Sequence, residues 1–232
     1  MSRRTCIITG ASRGIGLATA LRFARSGCNV VASARDVSAL GQVAEQIKAA
    51  GGRCEIIAGD IGQSESANQL IAAAVEHFGR VDILVNNAGF AVLKPVEETT
   101  PDDVENSLRV NVQAVFNTTK AVWPVMKQQK GGVIVNVSSV ASVDPFPGFS
   151  VYGASKAWVN LFTLATANEG RDLGIRAMAV APGAVETQML REHVPDFPAE
   201  QTLDPDAVAA VIESFCCDDM AYVTGQTIFV RK

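Results

Sequence analysis

Tyr152 and Lys156 lie four residues apart in a helix-like stretch, with Ser139 upstream. Residues i and i+4 share one face of an α-helix, so the phenol and the ammonium project into the same space. A free tyrosine has a pKa of about 10 and exchanges a proton poorly at neutral pH. A nearby positive charge that favours the phenolate changes this. Lys156 can supply the charge, and Ser139 can offer a hydroxyl to a substrate oxygen. Such a trio can manage one proton and one developing oxyanion.

At the other end of the chain is a glycine-rich turn, Thr9-Gly10-Ala11-Ser12-Arg13-Gly14-Ile15-Gly16. It follows the apolar run Cys6-Ile7-Ile8 and precedes Leu17–Ala24, whose apolar residues recur at helical spacing. Strand, glycine turn and helix together form a dinucleotide-binding context: glycines let backbone N–H groups approach a pyrophosphate, and the helix N-terminus favours the anion. The spacing is G-x-x-x-G-x-G rather than G-x-G-x-x-G.

The intervening sequence supplies the elements that must position these groups. Strand-like runs occur near Cys6–Thr9, Val30–Ser33, Cys54–Ala58, Ile83–Asn86, Val133–Val137, Ala177–Ala181 and Thr227–Val230, with helical segments between them. Continuous apolar strands alternating with helices predict an α/β fold: one doubly wound sheet of about seven mostly parallel strands, helices on both faces. Thr100-Pro101-Asp102-Asp103 and Asp204-Pro205-Asp206 mark two helix starts. No linker divides residues 1–232, so a single domain is expected, with a cofactor half over about 1–135 and a catalytic and substrate half over about 136–232. Gln188 to Leu203, with Pro195 and Pro198, reads as a loop or broken helix and as a lid.

These motifs resemble the short-chain dehydrogenase/reductase family along nearly the whole chain, from Thr5 to about Phe229. The glycine turn resembles its cofactor loop. Asn86-Asn87-Ala88-Gly89 resembles its N-N-A-G motif, and Pro182-Gly183 with Val185 and Thr187 its P-G-x-V-x-T segment. Asn111, Ser139, Tyr152 and Lys156 match its catalytic tetrad; the family's spacing selects Ser139 over Ser138. The resemblance implies a Rossmann-like fold and an NAD(P)-dependent oxidoreductase, most like 3-oxoacyl-(acyl carrier protein) reductases and related carbonyl reductases. It implies that Tyr152 gives a proton to a carbonyl oxygen while hydride comes from the nicotinamide. Ser139 would steady that oxygen, Lys156 would favour the phenolate and bind the nicotinamide ribose, and Asn111 would anchor a water in a proton relay. Asp60 would meet the adenine, with Ile61 beside it, and Asn87, Ala88 and Gly89 would pass the adenosine ribose. Asn87 could also serve the strand ends, and Thr187 could hold the carboxamide or cap the following helix.

Charge separates the two nicotinamide cofactors. By family alignment Ala34 stands where NAD-dependent members carry an acid, and Arg35 follows. Arg35 and Arg13, with Ser12 or Ser33, could hold a 2′-phosphate by charge-assisted hydrogen bonds, so NADP(H) is expected over NAD(H). Asp36 is a complication that could pair with Arg35 or oppose the phosphate. Two other readings remain: an NAD-linked alcohol or sugar-alcohol dehydrogenase, and a non-enzymatic dinucleotide sensor.

A net charge of −4 gives no reason to expect nucleic acid or an anionic membrane as partner. The chain reaches its first strand at once and contains no apolar run long enough to span a bilayer, which predicts a cytoplasmic protein. The five cysteines show no framework or metal-ligand spacing, and His77 and His193 read as surface or packing residues, so no metal is expected. The resemblance implies a small carbonyl compound or alcohol as substrate. Pro145, Phe146, Pro147 and Phe149, with Val185, Met189 and Leu190, form either an apolar pocket wall or plain packing. An acidic carrier protein would need a basic surface, for which Lys127 and Lys130, or Arg171 and Arg176, are available. The resemblance implies a homodimer or homotetramer, with apolar helices near Asn106–Trp123 and Ala157–Ala167 at a contact. Trp123 and Trp158 could equally pack internally. The ending Gly225–Lys232 lacks the family's Asp-Gly-Gly finish.

Overall fold

The structure is a computed structural model that describes residues 3–232. Seven strands run as expected: β1 Thr5–Thr9, β2 Asn29–Ala34, β3 Arg53–Ala58, β4 Ile83–Asn86, β5 Gly132–Val137, β6 Ile175–Pro182 and β7 Thr227–Val230. They form one sheet in the order β3-β2-β1-β4-β5-β6-β7, and every neighbouring pair is parallel. Several strands begin one to two residues before their apolar runs, because Asn29, Arg53 and Gly132 keep their ladder bonds whatever their side chains.

The helices are α1 Gly14–Arg25, α2 Val37–Ala49, α3 Ser64–Phe78, α4 Pro101–Leu108, α5 Ala114–Gln129, α6 Ser150–Gly170, α7 Gln188–His193 and α8 Pro205–Phe215. Alternate strand residues feed two separate cores. Cys6, Ile8, Val30, Val85, Val135 and Val180 meet Phe23, Leu40, Val208 and Ile212 on one face. Ile7, Val31, Leu84, Ile134 and Ala177 meet Leu70, Ile71, Val122 and Met126 on the other. Burial on both faces is why the strands read as unbroken apolar runs. The cap expected at Thr100 is a full capping box with Asp103, and Asp204 caps α8 through the Asp206 N–H.

Two features hold the elements around the strands' carboxyl ends. A polar ladder crosses the buried sheet: Thr118 Oγ1 donates to Asn86 Oδ1 at 2.7 Å, Asn86 Nδ2 to Asn136 Oδ1 at 2.9 Å, and Asn136 Nδ2 to Thr163 Oγ1 at 2.9 Å. It ties β4, β5, α5 and α6 together with its members satisfied, the condition under which a buried network specifies one arrangement. Between α4 and α5, Arg109–Gln113 form a π-helical turn. Such turns insert a residue into the helix and re-aim its side chains. The region Gln188–Leu203 is the broken helix expected, α7 and then a single turn at Ala199–Gln201, its base closed by a bridge between Val185 and Leu203.

Candidate active site

A cavity of about 1190 Å³ opens along the carboxyl ends of the strands, where ligands bind in open α/β sheets. At one end is the glycine turn. Gly10 and Gly14 adopt φ of +64° and +56°, which a side chain would strain. A Cβ on Gly16 would come 2.2 Å from the Gly10 carbonyl oxygen, and one on Gly10 would come 2.8 Å from Ala88 Cα. Asn87 fastens this approach: its Nδ2 donates to the carbonyls of Thr9 and Gly10 at 2.9 and 3.1 Å, while Thr9 Oγ1 accepts the N–H groups of Asn87 and Ala88. The strand-end role considered for Asn87 is therefore present. Arg13 precedes α1 in extended conformation and makes no side-chain cap, and no acid occupies the first turn of α1. Uncapped N–H groups at a glycine turn suit a pyrophosphate, so these residues fit a dinucleotide.

Arg35 follows β2 and lines the cavity, as do Ser12, Arg13 and Ser33. Asp36 neither pairs with Arg35 nor stands free: its Oδ1 caps α2 by accepting the Ala39 N–H at 3.0 Å. Asp60 lines the cavity too, beside Ile61, but its carboxylate is engaged. Oδ1 accepts the Gly62 N–H at 3.0 Å, and Oδ2 pairs closely with Arg109 Nη1. Arg109 opens the π-helical turn, so the loop after β3 is clamped to the segment that carries Asn111. Asn117 holds the other side of that loop through the Gly62 carbonyl at 3.0 Å.

Tyr152 and Lys156 project from α6 into the same cavity, facing Ser139 at the end of β5. Lys156 is 3% exposed. Its Nζ donates to the Val137 carbonyl at 2.8 Å and stands 5.8 Å from the Tyr152 ring centroid. Burial lowers its pKa to about 8. Burial likewise raises Tyr152 above its ordinary value, with a hydrogen bond from Ser139 pulling the other way. The sequence predicts a phenol tuned downward by the ammonium; in the structure desolvation is the larger influence, and it holds the phenol protonated. Ser138 Oγ donates to the Lys156 carbonyl at 3.1 Å, whereas Ser139 Oγ accepts the Ala141 N–H at 3.1 Å and bonds to Tyr152.

Asn111 is fully buried on the π-helical turn. Its Oδ1 accepts the Phe90 N–H at 2.8 Å, and its Nδ2 donates to the Phe90 carbonyl at 2.8 Å and to Ser155 Oγ at 2.9 Å. It is no surface asparagine: its amide staples the segment after Gly89 to α6.

Gly89, Pro182, Gly183, Val185 and Thr187 also line the cavity. Thr187 caps α7 through the Leu190 N–H at 3.3 Å, and its methyl lies 3.1 Å from a Cβ placed on Gly14, which brings it against the glycine turn. Phe146, Pro147, Phe149, Met189 and Leu190 form an apolar wall. Phe146 is 60% exposed, which marks it as wall rather than core packing. Pro145 is outside the wall, against Gly153.

Three residues that the sequence did not single out also line the cavity. His193, read as surface or packing, ends α7 and lines the cavity; its chain neighbours gave no motif to reveal this. Arg231 and Lys232 line it as well, because β7 ends beside Pro182-Gly183. The basic groups considered for a carrier protein lie elsewhere. Lys127 and Lys130 precede β5 and Arg171 precedes β6, at the amino ends of strands whose carboxyl ends carry the site. Arg176 is spent on the carbonyls of Met220 and Val223.

The comparisons with known proteins agree with this geometry. Residues 4–197 match the family described as short chain dehydrogenase. The chain belongs to the short-chain dehydrogenase/reductase family. It is 36% identical to a 3beta-hydroxysteroid dehydrogenase of Eggerthella lenta, over 98% of this chain and 92% of that protein. It is also 36% identical to a 3-oxoacyl-(acyl-carrier-protein) reductase of Thermotoga maritima, over 97% and 95%. A crystal structure of a 3-ketoacyl-(acyl-carrier-protein) reductase from Brucella melitensis, complexed with NADH, superposes with a TM-score of 0.92 at 32% identity, covering 99% and 97%. The chain is thus an NAD(P)-dependent oxidoreductase by family. All five cysteines are free thiols. Among the described residues no cluster of His, Cys, Asp or Glu is arranged to hold a metal, and no helix is long and apolar enough to cross a membrane.

Proposed function

We propose that this short-chain dehydrogenase reduces a ketone or aldehyde carbonyl to an alcohol, reversibly, with NADPH favoured over NADH. One observation carries the reading. Tyr152, Ser139 and Lys156 face a single cavity whose other end is a glycine turn shaped for a dinucleotide. When bound, the nicotinamide cofactor supplies the hydride. The chain's own residues manage the proton and the charge. Tyr152, held protonated by burial, donates to the carbonyl oxygen as negative charge develops there. The Ser139 hydroxyl donates to the same oxygen and lowers the barrier electrostatically. Lys156 offsets the phenolate left behind, and Asn111 fixes the wall opposite α6.

The NADPH preference rests on Arg35 and Arg13 at the adenosine end, with Asp36 withdrawn to cap α2. An NAD-linked dehydrogenase is the second reading, supported by the NADH complex of the Brucella relative; titration with both cofactors separates the two. One domain with a cofactor half before about residue 135 fits the placement of these groups. Val104, Leu108, Phe116, Leu161 and Leu164 leave an exposed apolar face on α4, α5 and α6, which supports pairing of two copies there. Sedimentation of Leu161→Glu as a monomer beside a wild-type dimer or tetramer is the expected result.

Tyr152→Phe tests the chemistry. Loss of the proton donor is expected to cut turnover at least about 100-fold while cofactor affinity is retained. Turnover within about tenfold of wild type would overturn the role given to Tyr152.

A further inference from the structure

The substrate end of the cavity carries charge that neither the apolar wall nor the proton machinery uses. Arg231 and Lys232 leave the carboxyl end of β7 and line the cavity. The strand end is pinned there by the Gly183 N–H, which donates to the Val230 carbonyl at 2.9 Å. Gly183 in turn faces Val140, the residue after Ser139, whose Cγ2 lies 3.9 Å from a Cβ placed on Gly183. Arg231 therefore emerges beside the wall that presents Ser139. Its guanidinium carbon lies 5.8 Å from the Phe229 ring centroid, within cation–π range. His193 comes to the same cavity from the last turn of α7.

Of the other charges of the cavity, Arg35 is left for the 2′-phosphate of the cofactor proposed above, and the rest, Asp144 aside, have partners. Arg13 lies 3.7 Å from Glu192, Asp60 pairs with Arg109, Asp36 caps α2 and Lys156 bonds to Val137. Among the described residues no carboxylate pairs with Arg231, Lys232 or His193. Asp144 also lines the cavity and is exposed. Phe146, Met189 and Leu190 line the same cavity as Tyr152 and these cations. A cavity that combines a proton donor, an apolar wall and unpaired cations matches an amphipathic molecule.

We infer that the chain selects carbonyl substrates whose remote end carries a carboxylate or phosphate, with Arg231 as the principal anchor and Lys232 and His193 beside it. The inference rests on the carbonyl-reductase reading and names its substrate class. A carboxylate would belong to a free small acid, and a phosphate to an acyl group on a pantetheine carrier.

The test pairs each anionic substrate with a neutral twin. Wild type, Arg231→Gln and Arg231→Glu are assayed with NADPH and NADH against para-acetylbenzoate and its methyl ester, levulinate and its methyl ester, and acetoacetyl-coenzyme A and acetoacetyl-N-acetylcysteamine. Wild type is expected to favour the anionic member by about tenfold in kcat/KM, a difference of about 1.4 kcal/mol. Arg231→Gln should erase that ratio, Arg231→Glu should invert it, and added salt should shrink it. Preference for the acids assigns a free carboxylate; preference confined to the coenzyme A pair assigns a carrier phosphate. An identical ratio in all three proteins overturns the inference and leaves the reductase reading intact. If no carbonyl is turned over, saturation-transfer NMR reads para-acetylbenzoate binding to the NADP-loaded protein. Affinity lower in Arg231→Gln by about tenfold then upholds the anion site; equal affinity refutes it.

Discussion

Lys156→Met replaces a buried ammonium with an apolar side chain of similar length, and the structure predicts the sign of its effect on stability. Burial takes the Lys156 pKa from 10.5 to about 8. Each pKa unit is worth about 1.36 kcal/mol, so keeping the charge inside costs the fold roughly 3 kcal/mol below both values. The folded value lies below the unfolded one. Between about 8 and 10.5 the unfolded chain holds a proton that the folded chain has lost, so stability rises with pH across that window. The penalty is full below about 8 and gone above 10.5. Against it stands the bond from Nζ to the Val137 carbonyl, whose loss leaves a buried acceptor short at about 1–3 kcal/mol. Near neutral pH the variant should therefore melt higher than wild type, by roughly 1 kcal/mol or about 2–4 °C, while losing turnover. Near pH ~10 the ammonium penalty has mostly vanished and the carbonyl term remains, so the order of melting temperatures should reverse. Differential scanning calorimetry of the cofactor-free proteins at both pH values reads this directly. A difference of the same sign and size at both would refute the claim that the lysine is held against its desolvation cost. The same titration predicts that kcat/KM for reduction declines as pH rises through about 8.

Gly16→Ala drives a methyl to 2.2 Å from the Gly10 carbonyl oxygen and 2.5 Å from Asn87 Nδ2. The overlap should cost about 1–3 kcal/mol and weaken cofactor binding by shifting the turn; dinucleotide affinity equal to wild type by fluorescence titration would count against the cradle. Arg35→Ala removes a guanidinium from the adenosine end. A lost charge-assisted bond of about 1.5–3 kcal/mol should lower the NADPH-to-NADH preference by roughly tenfold or more; an unchanged preference means that the 2′-phosphate is recognised elsewhere.

Much of the fold was legible because local pattern and tertiary role coincide. Each strand is a short apolar run that must be buried on both faces, so Cys6–Thr9 and Val133–Val137 announced themselves without help from distant residues. The glycine turn and the Tyr152–Lys156 pair were legible for the same reason, since each is defined within one or two helical turns. What escaped depends on contacts between distant segments. Asn111 fell on a helical pattern, but nothing in that pattern announces a π-helical turn or bonds to Phe90 and Ser155. Asn136 looked like one more strand residue, yet it bridges Asn86 and Thr163 across the sheet. His193 and Arg231 belong to segments with no motif, and only the fold brings them to one cavity.

The acids of the cavity carry this further, because their formal charge misstates the field that a ligand meets. By sequence the adenosine end has Arg13 and Arg35 against Asp36 and Asp60, a balance of zero. In the fold Asp36 turns into the amino end of α2, where the N–H groups and helix dipole take up its charge. Asp60 is taken by Arg109, a residue from a different segment. Arg35 lines the cavity without an ion pair to either acid, and Arg13 has only a loose contact with Glu192, where both side chains are half exposed and the pair is worth little. Two engaged carboxylates thus leave Arg35 without an acidic partner, as Arg231 and Lys232 are beside β7. A dinucleotide phosphate at one end and a substrate anion at the other would each meet positive charge, with the proton-transfer groups between them in apolar surroundings. In a chain of net charge −4, that arrangement concentrates anionic reactants where the bulk charge alone would repel them.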